Sequence, residues 1–404
     1  MSDAEICIVG GGLVGLAAAI ALARQGRSVK LLEAFDLQQA EPAEMDARSI
    51  ALSYSTIQIF RALGLWHKLQ KKAAAITNIH VSSAGHFGVS RLKATDCQLD
   101  VMGHVIEYHH LIEVLLEVAS KQGKIELITP AKVTAVQQND AHVAITYKYN
   151  GIEIALKAAL LIVADGANSS VREKLGITAD TNDYQQTAII TNLKITRPSH
   201  HCAFERFTKD GPLALLPLPN QRYAMVWTNI PPRAEQLMRL SDKDFIQQVY
   251  KQFGYRLGVF SGVGARTGFE LKLTRAKQLV AGRSVLIGNA ANTLHPVAGQ
   301  GFNLALRDIG LLFDQISNVD LQSDLLSTRL EQYQQLRSKD QNQAVNYGNG
   351  LVQLFSNNIP VLNHLRAGAL AALDLCPIVK TEVSWQGMGY GSGCSSLMRG
   401  VTAK

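Results

Sequence analysis

Two rhythms of apolar positions run through the chain. Ile6, Cys7, Ile8 and Val9 form an unbroken apolar run, which predicts a short strand over residues 5–9, buried on both faces as in a parallel sheet. From residue 13 to 25 the spacing turns helical through Leu16, Ile20 and the Ala23–Arg24 pair, and Ala17, Ala18, Ala19 and Ala21 allow close packing. Gly26 predicts the helix stop. Residues 28–32 return to a buried strand ending at Glu33, so a strand–helix–strand unit closes within about 30 residues.

Further along, residues 54–72 read as helix broken at Gly64. Residues 77–92 read as an antiparallel hairpin, with Ile79 and Val81 alternating against polar neighbours and glycines at 85 and 88. An amphipathic helix is predicted over 111–121, a three-strand meander over 133–136, 142–147 and 153–156, and another buried parallel-type strand over 160–164. Strand character dominates 185–228, with candidates at 187–193, 203–207 and 222–228. Helices are predicted at 242–253 and 301–316, a last buried strand at 284–288, and a mostly helical region to about residue 375. The tail 387–404 is rich in Gly and Ser and predicts a loose end.

Parallel-type and antiparallel-type segments are interleaved, which predicts an α/β protein of two domains built from alternating pieces of chain. Residues 1–75, 105–178 and 270–345 are assigned to one domain, 76–104 and 179–269 to the other, and 346–404 to a C-terminal helical region and tail.

At 404 residues the chain is long enough for two cores. Its formal charge of +7 comes without any Lys/Arg block or aromatic–basic alternation, so a solvated surface explains it and no nucleic-acid partner is expected. Cys7, Cys97, Cys202, Cys376 and Cys394 are scattered and form no CxxC, which predicts neither a disulfide framework nor a metal site. Asp3 and Glu5 stand where a secretory signal needs basic residues, and no apolar stretch is long enough to span a bilayer. The expected location is the cytoplasm, with any membrane contact peripheral at the inner membrane. The apolar segments 351–355 and 359–375 are more often core or dimer surface than membrane contact.

Three glycine-rich sites carry the chemistry. Gly10-x-Gly12-Leu13-Val14-Gly15 joins the first strand to the first helix. The first glycine permits the tight turn, the second lets backbone approach a pyrophosphate, and the third lets helix and strand pack. The helix N-terminus offers N–H groups and positive dipole charge to phosphates, and Glu33 can accept ribose hydroxyls. The second site, Asp165-Gly166-Ala167-Asn168-Ser169-Ser170-Val171-Arg172, also reads as an ordinary strand-to-helix turn capped by Asp165 or Ser169. The third runs from Gly288 to Asn303. Pro296 and its small neighbours would let backbone lie against a flat ring, and Gly299, Gln300 and Gly301 precede a helix. His295 reads either as a polar group near substrate or as a hydrogen-bonded structural histidine. Glu107, His109 and His110 sit before a helix and read as structural.

In this order and at these separations, the three sites resemble those of the FAD-dependent aromatic hydroxylases of the para-hydroxybenzoate hydroxylase fold. Asp165, Gly166, Ser169 and Arg172 match that family's DGxxSxxR fully. Asp46-Ala47-Arg48-Ser49-Ile50-Ala51-Leu52 resembles the ubiquinone-biosynthesis hydroxylases, where the arginine lies by the flavin. So do Phe204-Glu205-Arg206-Phe207-Thr208 and Gly211-Pro212-Leu213-Ala214-Leu215-Leu216-Pro217. The third site departs from the superfamily: its usual Gly-Asp is Gly288-Asn289, and its usual His is Asn292. The amide oxygen of Asn289 can accept the same ribityl hydrogen bond without charge. This departing form is similar to the polyprenyl-methoxyphenol hydroxylase branch.

The resemblance implies a Rossmann-like FAD-binding domain, a parallel sheet with a three-strand meander, interleaved with a mostly antiparallel substrate domain and followed by C-terminal helices. Gly10, Gly12, Gly15 and Glu33 would hold the ADP half of FAD. Arg48, Asp165, Gly166 and Asn289 would serve the pyrophosphate and ribityl region. Pro296, Gly299, Gln300, Gly301, Phe302 and Asn303 would flank the ring, with His295 and Pro296 as near-ring candidates. The implied reaction is monooxygenation: NAD(P)H or a partner reductase supplies electrons, O2 the oxygen, and a flavin C4a-hydroperoxide transfers OH to a polyprenylated phenol. An FAD-dependent lipid reductase working without oxygen and a non-catalytic FAD-binding component of a biosynthetic complex are the alternatives.

Overall fold

A computed structural model of the chain describes residues 3–37, 48–85, 88–197, 200–293, 299–355, 374–391 and 393–401. Its first sheet has at its centre Ala4–Val9, parallel on one side to Val29–Leu32 and on the other to Ile152–Val163. Ile125–Ile128 extends it in parallel at one edge and Ser284–Leu286 at the other. The helix Leu13–Arg24 packs on this sheet with Leu16, Ile20 and four alanines fully or almost fully buried. Burying each of the two larger side chains contributes about 1.5–3 kcal/mol.

The meander is present as Ala131–Gln138, Val143–Tyr149 and Ile152–Val163. The last of these corrects the sequence expectation of two separate strands over 153–156 and 160–164. One strand of 12 residues pairs antiparallel with Val143–Tyr149 through its first half and parallel with Ala4–Val9 through its second. Its pattern changes from alternating to continuously apolar at that handover, because only the second half is covered on both faces.

A second sheet runs in the order Phe260–Val263, Ala179–Ile195, Arg222–Asn229, Gly211–Leu218, Cys202–Thr208, Asn78–Ser83, Val89–Lys93, with Thr267–Ala276 also paired to Ala179–Ile195. It is antiparallel except where Cys202–Thr208 meets Asn78–Ser83. Gly211–Leu218, an inner strand, was not among the expected strands; Pro212 and Pro217 lie near its two ends and disguise it. Its alternation divides the sheet's faces. Ile189, Leu213, Leu215, Met225 and Trp227 pack against the helices Pro231–Met238 and Asp242–Phe253. Ile190, Ala214, Leu216 and Val226 face the other way, into a cavity.

A small sheet of Ser49–Ser53, Gly103–Glu107 and Ala74–Ile76 packs beside the strand Gly211–Leu218 of the second sheet. The tail is not loose where it is described: Leu397 and Met398 are buried against the main core, and Ser396 donates its backbone N–H to Asp314 at 2.8 Å. Two apolar side chains among the glycines and serines are enough to dock the segment.

Candidate active site

The three glycine-rich sites converge on one cavity of about 820 Å³. Gly10 adopts φ +108°, and a Cβ there would lie 2.4 Å from the Ala164 carbonyl oxygen. A Cβ on Gly15 would lie 1.8 Å from the Gly10 carbonyl oxygen. These two glycines are therefore required by the protein's own packing. Gly12 and Gly301 are different, and Gly166, which its φ of +89° already restricts to glycine, is open like them. Each lines the cavity, and a Cβ on any of them would meet nothing within 4 Å. These three open positions on the surface of one cavity make a cradle that a bound group could fill.

Glu33 accepts the Gly11 N–H at 2.5 Å and the Phe35 N–H at 2.8 Å, which fixes its carboxylate beside the first turn. Asp165 accepts the Val171 N–H through Oδ2 at 3.2 Å, while its Oδ1 is buried with no partner among the described residues. Burial pushes its carboxyl above the usual range. An unpaired buried acceptor beside the cradle suits a ribose or ribityl hydroxyl donor. Ser169 caps the short helix Ser170–Lys174 by accepting the Arg172 N–H. Buried Arg172 donates to the carbonyls of Ala167 at 3.3 Å and Ala290 at 3.1 Å, tying the second site to the third.

At the third site Gly288 takes φ +60° and donates its N–H to Asp308. Asn289 is exposed and lines the cavity. Asn292 is buried, and neither end of its amide has a partner among the described residues. Gly299 starts the helix Gln300–Ile316 in the left-handed region at φ +59°. The Asn303 amide accepts from Ser53 N and Thr56 Oγ1 and donates to Ala51 and Gly299 carbonyls, all at 2.7–2.8 Å. That amide is saturated by protein and locks the start of the helix Gln300–Ile316 to the strand Ser49–Ser53. Arg48, at the start of that strand, lies 4.2 Å over the Tyr108 ring and lines the cavity. Phe302 also lines the cavity, in tilted contact with Phe60. Leu13, Val14 and Gln300 complete the wall between the two helix starts. His295 and Pro296 lie outside the described residues.

Two features were not read from the sequence. Glu205 lines the cavity on the apolar face of the second sheet; an acid among apolar residues at period two was its signal. Behind the third site, Asp308, Arg337, Asp340 and Arg307 form a buried ion network that only long-range folding could assemble. His109 and His110 fall inside the helix Tyr108–Ser120 rather than before it. They come together with Glu107, whose two oxygens are each held by Arg222 at 2.8 Å.

The family described as FAD binding domain matches residues 3–347. The chain belongs to this family of FAD-binding monooxygenases. Ubiquinone hydroxylase UbiL of Rhodospirillum rubrum is 32% identical over 98% of this chain and 93% of its own. The 3-demethoxyubiquinol 3-hydroxylase of Escherichia coli is 30% identical over 95% of this chain and 98% of its own. Among solved structures, p-nitrophenol 4-monooxygenase PnpA of Pseudomonas putida superposes with a TM-score of 0.79 over 96% of this chain and 98% of its own, at 19% identity. That likeness carries the fold, a Rossmann-like domain interleaved with an antiparallel substrate sheet. This flavoprotein has no helix among the described residues long and apolar enough to cross a membrane.

Proposed function

We propose that this chain hydroxylates the ring of a polyprenylated phenol in ubiquinone biosynthesis, using FAD, O2 and a nicotinamide donor or partner reductase. The observation that carries this reading is the cavity itself. One part is the open glycine cradle, and the other is the apolar sheet face of Ile79, Ala214, Leu216 and Val226. A dinucleotide and an apolar ring substrate would share one cavity. The relatives, one named a ubiquinone hydroxylase and one a 3-demethoxyubiquinol 3-hydroxylase, support the pathway. The methoxyphenol substrate and the 4-position rest on the resemblance of the third motif.

Gly12 and the N–H groups of Leu13 and Val14 would bind the pyrophosphate, and Glu33 the adenosine ribose. Asp165 and Asn289 would accept from the ribityl side and Arg48 would neutralise phosphate charge. The backbone of Gly299–Phe302 would lie against the ring, where the start of the helix Gln300–Ile316 favours negative charge. Bound FAD supplies the redox and oxygen-activating chemistry. The protein supplies position and a water-poor pocket. A lipid substrate brings the protein to the inner-membrane surface.

Quinone-pathway lipids of a strain lacking this chain test the proposal. Accumulation of a polyprenyl methoxyphenol with loss of ubiquinone is expected; unchanged ubiquinone with no new intermediate overturns the named reaction. Labelled O2 separates the alternatives. A hydroxylase places one labelled atom in the product, whereas a reductase or a non-catalytic FAD carrier places none.

A further inference from the structure

Among the described residues, the second sheet presents one carboxyl to the cavity, that of Glu205. Glu205 sits in a row of cross-strand neighbours, with Val81 on one side and Ala214 on the other, and Val226 and Ile190 beyond Ala214. All five line the cavity. The charged neighbours of Glu205 in sequence and register point away. Arg206 bonds Gln252 O and Ser82 Oγ, and His80 contacts the Phe204 ring on the helix-covered side. The other ionisable residues of the cavity wall, Arg48 and Tyr108, are stacked on each other. Glu205 has no hydrogen-bond partner among the described residues. A half-buried carboxyl facing apolar neighbours without a partner is disfavoured as an ion, and a hydrogen-bonding ligand group would relieve that. Burial alone raises its pKa to about 7.

We propose that Glu205 is a catalytic residue that accepts the proton of the substrate's ring hydroxyl during hydroxylation. This rests on the monooxygenase reading above. The phenol O–H bond breaks and a carboxyl O–H bond forms. The electron pair left on the phenol oxygen enriches the ring carbon that receives the O2-derived oxygen. That carbon's hydrogen leaves as a proton when the ring re-aromatises, and Glu205 returns its own proton to the phenolate oxygen of the product. Electrons come from the nicotinamide donor, and the second atom of O2 leaves as water. A carboxylate whose proton affinity is raised toward that of a phenol is a better general base than an exposed glutamate.

The experiment compares FAD-loaded wild type with Glu205→Gln and Glu205→Asp, using 2-methoxyphenol bearing one prenyl unit as probe. Glu205→Gln is expected to keep its FAD and its unfolding midpoint yet lose about 100-fold or more in kcat, as general-base removal does. The wild-type kcat/KM should fall below a pH of about 7 as the carboxyl protonates, and this limb should vanish in Glu205→Gln. Glu205→Asp should recover part of the rate. A Glu205→Gln enzyme within about twofold of wild type, or one retaining the acid limb, overturns the proposal. Complementation of the deletion strain with the same variants reads the same order on the native substrate. A wild type that binds no FAD or incorporates no labelled oxygen overturns the monooxygenase reading, and this inference with it; a hydroxylating wild type with an unimpaired Glu205→Gln removes only Glu205.

Discussion

Arg337 donates from Nε to Asp308 Oδ1 at 2.8 Å, with both side chains buried. The second oxygen of Asp308 accepts the Gly288 N–H at 3.2 Å, so an ion pair lies directly behind the turn of the third glycine-rich site. Asp340 holds Arg337 on its other side and pairs with Arg307 at 3.0 Å. Removing one member strands a buried charge. Arg337→Met is expected to cost about 3–5 kcal/mol of stability and to weaken FAD retention. Thermal unfolding with and without added FAD measures both.

Gly12 and Gly15 should behave oppositely on mutation. A Cβ on Gly12 meets no protein atom within 4 Å, so Gly12→Ala should fold normally and lose about tenfold or more in FAD affinity, while Gly12→Val should purify colourless. A Cβ on Gly15 would collide with the Gly10 carbonyl, so Gly15→Ala should lose about 1–3 kcal/mol of stability or more. The visible flavin spectrum and the unfolding midpoint, read side by side, separate the two. A yellow, FAD-replete Gly12→Val would sink the cofactor's placement.

Arg172 ties the second site to the third through the Ala290 carbonyl. Arg172→Met removes two charge-assisted bonds to carbonyls, each worth about 1.5–3 kcal/mol. FAD dissociation, followed by flavin fluorescence, should quicken. Arg172→Lys should recover only part, since a single ammonium cannot reproduce the guanidinium fork.

Acid should destabilise the fold through His104. Burial, with Arg61 and His201 nearby, depresses its pKa to about 4 from an ordinary 6.5. Its ring lies edge-on to Trp66 at 4.7 Å. Between those two values the unfolded chain binds the proton and the folded one does not. Stability therefore rises with pH across that window and is lost as pH falls toward 4. His104→Phe should flatten the dependence of the unfolding midpoint over the same range.

The sequence by itself determined what short spacing encodes. The unbroken run Ile6–Cys7–Ile8–Val9, the helical alanines after it and the glycines at 10, 12 and 15 are local patterns, and each acts within a few residues. The hairpin around Ile79 and the helix Asp242–Phe253 were legible for the same reason. Only tertiary structure decided that Gly12, Gly166 and Gly301 line one cavity, because that needs three segments far apart in the chain to converge. It also decided the environment of Glu205. Strand register placed it between Val81 and Ala214, and the apolar surroundings that change its proton affinity come from those neighbouring strands. The tail followed the same logic: its composition reads as loose, yet Leu397 and Met398 find a core built by residues hundreds of positions earlier. Periodicity is a property of neighbours in sequence, whereas a site's electrostatics belong to neighbours in space.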